Sequence, residues 1–262
     1  MTKTLSTTTP TIEQIHKHAS IRAYKPDPVP RELVETIVAA GQRGSTSSNM
    51  QFTTAIAVTD EAKRHKLAEL CGNQEHIRQA PVFIAWCLDR ARLDHACRMR
   101  GYTQTTDTVE SFLVAAVDVG IFMQNATLAA ESLGLGMCYI GGIRNNPRQV
   151  MELLEMPRLT FPVSGMTLGW PAVEAKPKPR LALETVLHWE RYGDPDEAEH
   201  LRAYDAEMAE SGIYDGRQVP VPGQPGQMEA YGWTEHSARR ISQRLRADLR
   251  EILAEQGLTL KD

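Results

Sequence analysis

Residues Thr108 to Leu133 constrain the fold more than any other stretch of this chain. Val109, Phe112, Leu113, Ala116, Val117, Gly120, Ile121, Gln124 and Leu128 recur at i, i+3, i+4, i+7, the period of a helix. Val114, Val119, Phe122 and Met123 make the other side apolar too. A helix apolar all round has to be covered all round. In 262 residues that predicts a central core helix, or one packed against a second subunit. It is not read as a membrane span. Asp118, Gln124 and Asn125 interrupt the run, and a lipid-spanning helix wants about 20 apolar residues.

The elements around this helix follow from shorter signals. Met1 to Thr11 is Thr-rich, reads as a flexible N-terminus and lacks the apolar core of a secretory signal. Thr11 followed by Gln14 resembles a helix cap. Pro26, Pro28 and Pro30 force an extended segment, and a helix is expected over Arg31 to Gln42. Thr53 to Thr59 reads as a strand ending in Asp60, which can cap a helix over 61–70. Pro81 to Leu88 is an almost continuous apolar run, hence a strand covered on both faces. Residues 90–107 read as a polar, irregular excursion. Met137 to Ile140 and Phe161 to Gly169 are further strands, with a small helix over Asn146 to Leu154. Beyond Ala172 the spacing predicts a strand-like stretch, Val186 to Trp189, then a helix from Pro195 to Glu210. Residues 219–227, rich in Pro and Gly, are expected to be irregular, and one helix is expected from Thr234 to Glu255. Strands interleaved with helices make the class α+β or α/β.

Charge excludes some functions. Lys plus Arg number 29 and Asp plus Glu 33, so the net charge is 29 − 33 = −4. Nucleic-acid binding by counterion release needs many clustered cations, and none is expected here. The four cysteines, Cys71, Cys87, Cys97 and Cys138, have no zinc-type spacing. They read as reduced, mostly buried thiols, which suits a cytoplasmic protein. No metal site and no hydrolytic motif of the GxSxG or HExxH kind is present.

Several short sets could carry chemistry. His18, Ser20 and Arg22 alternate after a helix, placing three polar groups on one side of an extended chain. They suit a phosphate or an anionic ring edge, although an exposed strand end would carry the same residues. Ser45, Thr46, Ser47 and Ser48 offer hydroxyls in what could equally be an ordinary loop. Gln74 and His76 stand beside a glycine and could contact a heterocycle. Gly141 and Gly142 end a strand, where a missing Cβ would let a flat ring lie close. Lys178 and Arg180 put two cations on a stiff Lys-Pro-Arg segment, a phosphate clamp or a solvated linker.

In order along the chain stand His18-x-Ser-Ile-Arg22-x-Tyr24, the Ser/Thr loop ending in Gln51, and Gly72-x-Gln74. They are followed by Gln124-Asn-Ala running to Gly134-Leu-Gly, Tyr139-Ile-Gly-Gly142-Ile-Arg-Asn-Asn146, Leu168-Gly-Trp-Pro171 and Lys178-Pro-Arg180. This series resembles the FMN-dependent nitroreductase family, in its oxygen-insensitive NADPH nitroreductase and flavin reductase branch. The resemblance covers Ile12 to Tyr192. It implies an α+β nitroreductase-like fold, a mixed, mostly antiparallel sheet flanked by helices. It further implies a homodimer with a long central interface helix and a C-terminal arm. The implied division is an FMN-binding core, 12–192, and a C-terminal helical extension, 193–262, that carries the nicotinamide and substrate loop within the same domain.

By the same resemblance, FMN is the cofactor. His18, Ser20 and Arg22 meet its phosphate and ribityl end, with Lys178 and Arg180 adding charge. Gln74 contacts the ring, Tyr139, Ile140, Gly141 and Gly142 lie along it, and Ser45, Thr46, Ser47 and Gln51 reach it from the other subunit. NADPH, with NADH as the alternative, is the donor, and Arg144, Arg217 and Arg240 are the residues assigned to it. The implied reaction is ping-pong hydride transfer through flavin N5 to nitroaromatics, quinones or similar electron-poor acceptors, with no catalytic side chain. An FMN storage or sensor module and a flavin-dependent reductive dehalogenase are the alternatives. This chain departs from the family pattern at Ala19, at Asn49-Met50 and in the longer Pro/Gly-rich loop 211–232.

Overall fold

The computed structural model describes residues 7–105 and 107–261. In chain order its elements are α1 (Pro10–His16), α2 (Arg31–Gly41), β1 (Thr53–Val58), α3 (Glu61–Leu70), α4 (Glu75–Gln79), β2 (Val82–Asp89), α5 (Ala91–Met99) and α6 (Val109–Ser132). There follow β3 (Gly136–Ile140), α7 (Pro147–Leu153), β4 (Thr160–Gly169), α8 (Leu183–Val186), α9 (Glu197–Glu210), β5 (Gln218–Pro220), β6 (Met228–Ala230), α10 (Trp233–Ile241) and α11 (Leu249–Glu255). The chain forms two compact units. One is Ser20–Ala175 with Arg246–Asp262; the other is the N-terminal segment up to Ala19 with Lys176–Leu245.

The larger unit is organised by β2. Four strands run in the order β1-β2-β4-β3, and every ladder is antiparallel. β2 and β4 are the interior strands, and cores on either face cover β2, as its unbroken apolar run predicts. Its side chains alternate between two cores. Val82, Ile84, Trp86 and Leu88 join one; Phe83, Ala85 and Cys87 join the other. The first core also takes Ile37 of α2, Val119, Phe122 and Ala126 of α6, and Ile252 and Leu253 of α11. The second takes Leu67 and Ala68 of α3, Ile77 of α4 and Val150 of α7. Two of the buried thiols, Cys71 and Cys87, are pushed up to about 12 by burial, so they stay protonated as small apolar fillers.

α6 is long and apolar enough to cross a bilayer by length and composition. Here one side of it packs on the sheet through Ala115, Val119, Phe122, Ala126 and Ala130, with Trp86 and Phe122 rings 5.5 Å apart. α2 is pressed so closely against it that a Cβ on Gly41 would stand 2.4 Å from the Phe122 ring. The other side of α6 carries Val109, Leu113, Val117 and Ile121, four residues apart, as an exposed apolar ridge. Among the described residues of the larger unit this ridge stays exposed, whereas the opposite side of the helix is core.

In the smaller unit, α9 and α10 pack together through Tyr204 and Trp233, whose rings stand edge to face at 4.9 Å. Asp205 accepts from the Trp233 and Thr234 backbone N–H groups and from the Thr234 hydroxyl, which holds the start of α10.

Five sequence expectations need correction. α1 begins at Pro10 and is capped by the Thr9 hydroxyl, not by Thr11; of the N-terminal stretch read as flexible, residues 1–6 lie outside the described residues. The excursion 90–107 contains α5, a short helix none of whose residues is buried. The stretch 186–189 is not a strand; Val186 ends the short α8. The loop 219–227 is closed by a small hairpin, β5 against β6, which tolerates Pro220 at the end of its ladder and leaves Pro222 and Pro225 in the connecting loop. The single helix expected from Thr234 to Glu255 is two, α10 and α11, with Arg246 between them at φ 50°.

Candidate functional site

The best-defined site in the larger unit grows from two turns that lock together. β3 ends at Ile140, and Gly141–Arg144 makes a single 3₁₀ turn. Beside it, α3 ends at Leu70 and Cys71 to Gln74 turns the chain into α4. Asn146 Nδ2 donates to the Leu70 carbonyl at 2.7 Å, and Gln74 Nε2 donates to the Cys71 carbonyl at 2.7 Å. Between the turns sits Gly142. A Cβ there would lie 2.2 Å from the Cys71 carbonyl oxygen and 2.7 Å from Gln74 Nε2. Gly141 differs: the nearest atom to its Cβ position is Arg144 Nη2 at 3.4 Å. So Gly142 is a glycine for internal packing, and Gly141 keeps an approachable face.

The third wall is the segment after Ser20. Ile21 N–H donates to the Met137 carbonyl of β3 at 2.8 Å, and its side chain fills the space left by Gly136. Tyr24 anchors the same segment, its hydroxyl bonding the Ile21 carbonyl and Thr167 at 2.7 Å each. With Ile21 turned inward, alternation along an extended chain turns Ser20 and Arg22 outward. Ser20 is half-buried and Arg22 exposed. Nearby, His76 keeps its Nε2 buried with no hydrogen-bond partner. Burial first, then the charge of Arg22, holds its imidazole below its ordinary value, hence neutral near pH 7.

The loop Ser45–Gln51 is held from below. The buried Asp118 carboxylate of α6 accepts from Ser47 N–H through both oxygens, at 3.1 and 3.2 Å. Arg92 Nη1 donates to the Gln51 carbonyl at 2.8 Å, and Thr46 Oγ1 accepts from Gln51 N–H. Ser48, Asn49 and Gln51 all adopt left-handed backbone, which side-chain-bearing residues take at some cost. Two such fixtures explain why the loop keeps that shape while Ser47 to Gln51 remain exposed.

Other predicted site residues are placed less simply. Tyr139 donates its hydroxyl to the Met123 carbonyl and meets Thr127 at 2.6 Å, so its side chain is committed to α6; burial pushes it up to about 12. Ile140 is fully buried in the second core. Arg144 is half-buried, donates to the Val163 carbonyl of β4, and is lowered first by desolvation and then by the charge of Arg246. In the smaller unit, Lys178 and Arg180 are exposed, with Arg180 folded back onto the Lys178 and Pro179 carbonyls. His18 is half-buried. Arg217 is exposed and lines a cleft of about 290 Å³ with Tyr214 and Tyr231, and Arg240 is exposed on the last turn of α10.

Two residues were missed by the sequence reading. Arg246 donates to the Gly141 carbonyl at 3.0 Å and to Asn145 Oδ1, which puts a cation on the glycine turn. Its helical context hid this. Asp118 was read only as an interruption of an apolar run; a lone carboxylate inside such a run was the signal available.

A four-stranded antiparallel sheet carries helices on both faces, and at one end of β3 a glycine turn open on one side stands beside a basic extended segment. The chain belongs to the nitroreductase family. The profile described as "Nitroreductase family" matches residues 15–75 and 70–170, and that of the family's C-terminal domain matches 178–261. The chain is 38% identical over 257 residues to an FMN reductase [NAD(P)H] from Bacillus subtilis, covering 95% of this chain and 98% of that one. It is 38% identical over 248 residues to an oxygen-insensitive NADPH nitroreductase from Salmonella typhimurium, covering 95% and 98%. The solved structure of NfrA2 from B. megaterium superposes with a TM-score of 0.89 at 37% identity, covering 97% of this chain and all of that one.

Proposed function

We infer that this chain is an FMN-dependent NAD(P)H oxidoreductase that reduces nitroaromatics, quinones or related electron-poor acceptors in two half-reactions. The observation that carries the reading is the pair of locked turns, with Gly141 open on one face and Arg22 outside it. The residues fit a flavin nucleotide. Gln74 holds a carboxamide at the edge of the glycine turn, its Nε2 fixed by Cys71. His76 Nε2 is a buried polar atom still lacking a partner. Arg22 and Ser20 offer a cation and a hydroxyl to the anionic end. Bound there, the flavin supplies the two-electron carrier, so no side chain has to act as nucleophile.

The chain's own groups then orient and neutralise. Arg22 meets negative charge, Arg246 fixes the Gly141–Asn145 turn, and Gln74 directs the ring edge. His18, Lys178 and Arg180, which the family resemblance assigns to FMN, are proposed to serve its phosphate. The Ser45–Gln51 loop is proposed to serve the flavin of a second subunit. The exposed ridge Val109, Leu113, Val117, Ile121 supports a homodimer built on α6. The functional domain is proposed to span 12–262, and the four free thiols suit the cytoplasm.

An absorption spectrum of the purified protein tests the reading, followed by anaerobic titration with NADPH. Flavin bands that bleach on NADPH and return with a nitroaromatic or quinone support it. A flavin that NADPH does not bleach favours the storage or sensor alternative, and a colourless protein that takes up no FMN overturns both.

Two substitutions extend the test. Arg22→Ala should weaken FMN retention about tenfold or more, the size of one charge-assisted contact, measured by ultrafiltration and flavin absorbance. Unchanged flavin content would remove Arg22 from the phosphate role. For the donor, Arg217 beside Tyr214 and Tyr231 offers a guanidinium and aromatic edges to a 2′-phosphorylated adenosine. Arg217→Ala should raise KM for NADPH by about tenfold while leaving KM for NADH nearly constant. Equal rises for both would exclude that role. Arg144 is assigned a lesser part, since β4 already takes one of its nitrogens.

A further inference from the structure

The cleft of the smaller unit carries two opposite charges. Asp215 and Arg217 both line it, on either side of Gly216, and Tyr214 and Tyr231 supply its aromatic walls. A guanidinium suits a 2′-phosphate. A site shaped for that dianion alone, however, would be weakened by a carboxylate two residues away.

Backbone bonds, not a partner side chain, place Asp215. Its N–H donates to the Gly212 carbonyl at 3.3 Å and closes a turn. A Cβ on Gly212 would lie 3.2 Å from Asp215 Oδ2, so the carboxylate rests over a residue that has no side chain. The opposite wall is tied down as well. Tyr231 N–H donates to the Arg217 carbonyl at 3.1 Å, and the Tyr231 hydroxyl meets His236 Nδ1 of α10 at 2.9 Å. Arg239 Nη2 of α10 donates to the Pro220 carbonyl of β5 at 3.2 Å. Asp215 and Arg217 are both exposed, and among the described residues neither side chain stands in an ion pair. Two unlike charges that share a small cleft without pairing are each left to meet a ligand.

We propose that Asp215 sets the donor preference: its carboxylate accepts from the ribose 2′-hydroxyl of NADH and repels the 2′-phosphate of NADPH, while Arg217 does the reverse. The inference rests on the reading of this cleft as the place of the donor's adenosine end. A hydroxyl brings a proton that a carboxylate can accept; a phosphate brings only acceptors and charge of the same sign. Selectivity is a difference between two affinities, and a repulsive group moves it as surely as an attractive one. With one group of each kind, the cleft takes both donors and strongly rejects neither. Both side chains are in contact with water, so each moves an affinity by only about threefold.

The test uses the purified full chain, with its flavin content recorded. Calorimetric titration with adenosine 2′,5′-bisphosphate and with AMP reads the cleft whether or not flavin is bound, and KM for NADPH and NADH follows. Asp215→Asn keeps the size of the side chain and removes its charge. It should tighten the bisphosphate and lower KM for NADPH about threefold, and weaken AMP and raise KM for NADH by a similar factor. Glu229→Gln removes a carboxylate from β6 of the same hairpin, outside the residues that line the cleft, and should leave both ratios at the parent value. Unchanged ratios in Asp215→Asn, the same shift in Glu229→Gln, or no binding of either nucleotide to the parent would each overturn the proposal. A colourless protein that still shows the nucleotide shift would overturn the flavin reading and leave the role of Asp215 standing.

Discussion

Replacing Leu113 and Val117 together by glutamate is expected to turn the protein into folded monomers that hold little flavin. The two side chains are 54% and 51% exposed in the single chain, so neither supports its core. In a symmetric dimer each change enters twice, placing four carboxylates in one apolar seam. An unpaired charge taken out of water costs several kcal/mol even after relaxation, which exceeds what a micromolar assembly tolerates. Light scattering after size exclusion should report the monomer mass, and far-UV dichroism should remain that of the parent. The flavin band should fall along with the dimer, because the Ser45–Gln51 loop would have lost the neighbour it serves. A variant that stays dimeric removes the α6 ridge from the interface.

Gly142→Ala is the second large effect. A methyl there meets the Cys71 carbonyl at 2.2 Å, and the obstacle is backbone at the end of a helix, not a side chain that can swing aside. Relief requires the two turns to part, which strains the Asn146–Leu70 hydrogen bond that joins them and displaces Gln74. Overpacking of this kind costs about 1–3 kcal/mol, and each kcal/mol lowers Tm by about 2–4 °C in a domain of roughly this size. Flavin affinity should fall as well, since Gln74 moves. Gly141→Ala at the neighbouring position should leave Tm nearly unchanged, its nearest obstacle being a guanidinium nitrogen at 3.4 Å, yet lower flavin affinity by covering the open face. Equal Tm for Gly142→Ala and the parent would show that the turns are not locked as described.

The parts legible in the sequence are those where burial alone decides the structure. β2 was readable because both of its faces are core, so its apolar run is unbroken. α6 was readable for a related reason, and its excess of apolar residues also announced the uncovered ridge. α5 was hidden because it buries little; Arg98 pairs with Asp94 along its own surface, and Arg92 reaches back to Asp89 at the end of β2. The division of the last helix was hidden too. Ser242 to Ala247 contains no Gly or Pro, and the chain bends there while Arg246 is drawn to the Gly141 carbonyl and Asn145, a tertiary bond that overrides local preference. Within the site, the glycines marked the right turn but not their separate roles. The Cys71 carbonyl and Gln74 Nε2 distinguish Gly142 from Gly141.

Asp118 ties this account together. One side of its helix bears the ridge that a second subunit would cover, and its carboxylate grips the Ser47 amide of the loop that would serve that subunit's flavin. Encounter between chains and completion of the prosthetic-group pocket then become a single event. Newly made subunits would acquire colour at a rate rising with the square of their concentration, and dilution would bleach the protein by shedding cofactor as pairs come apart.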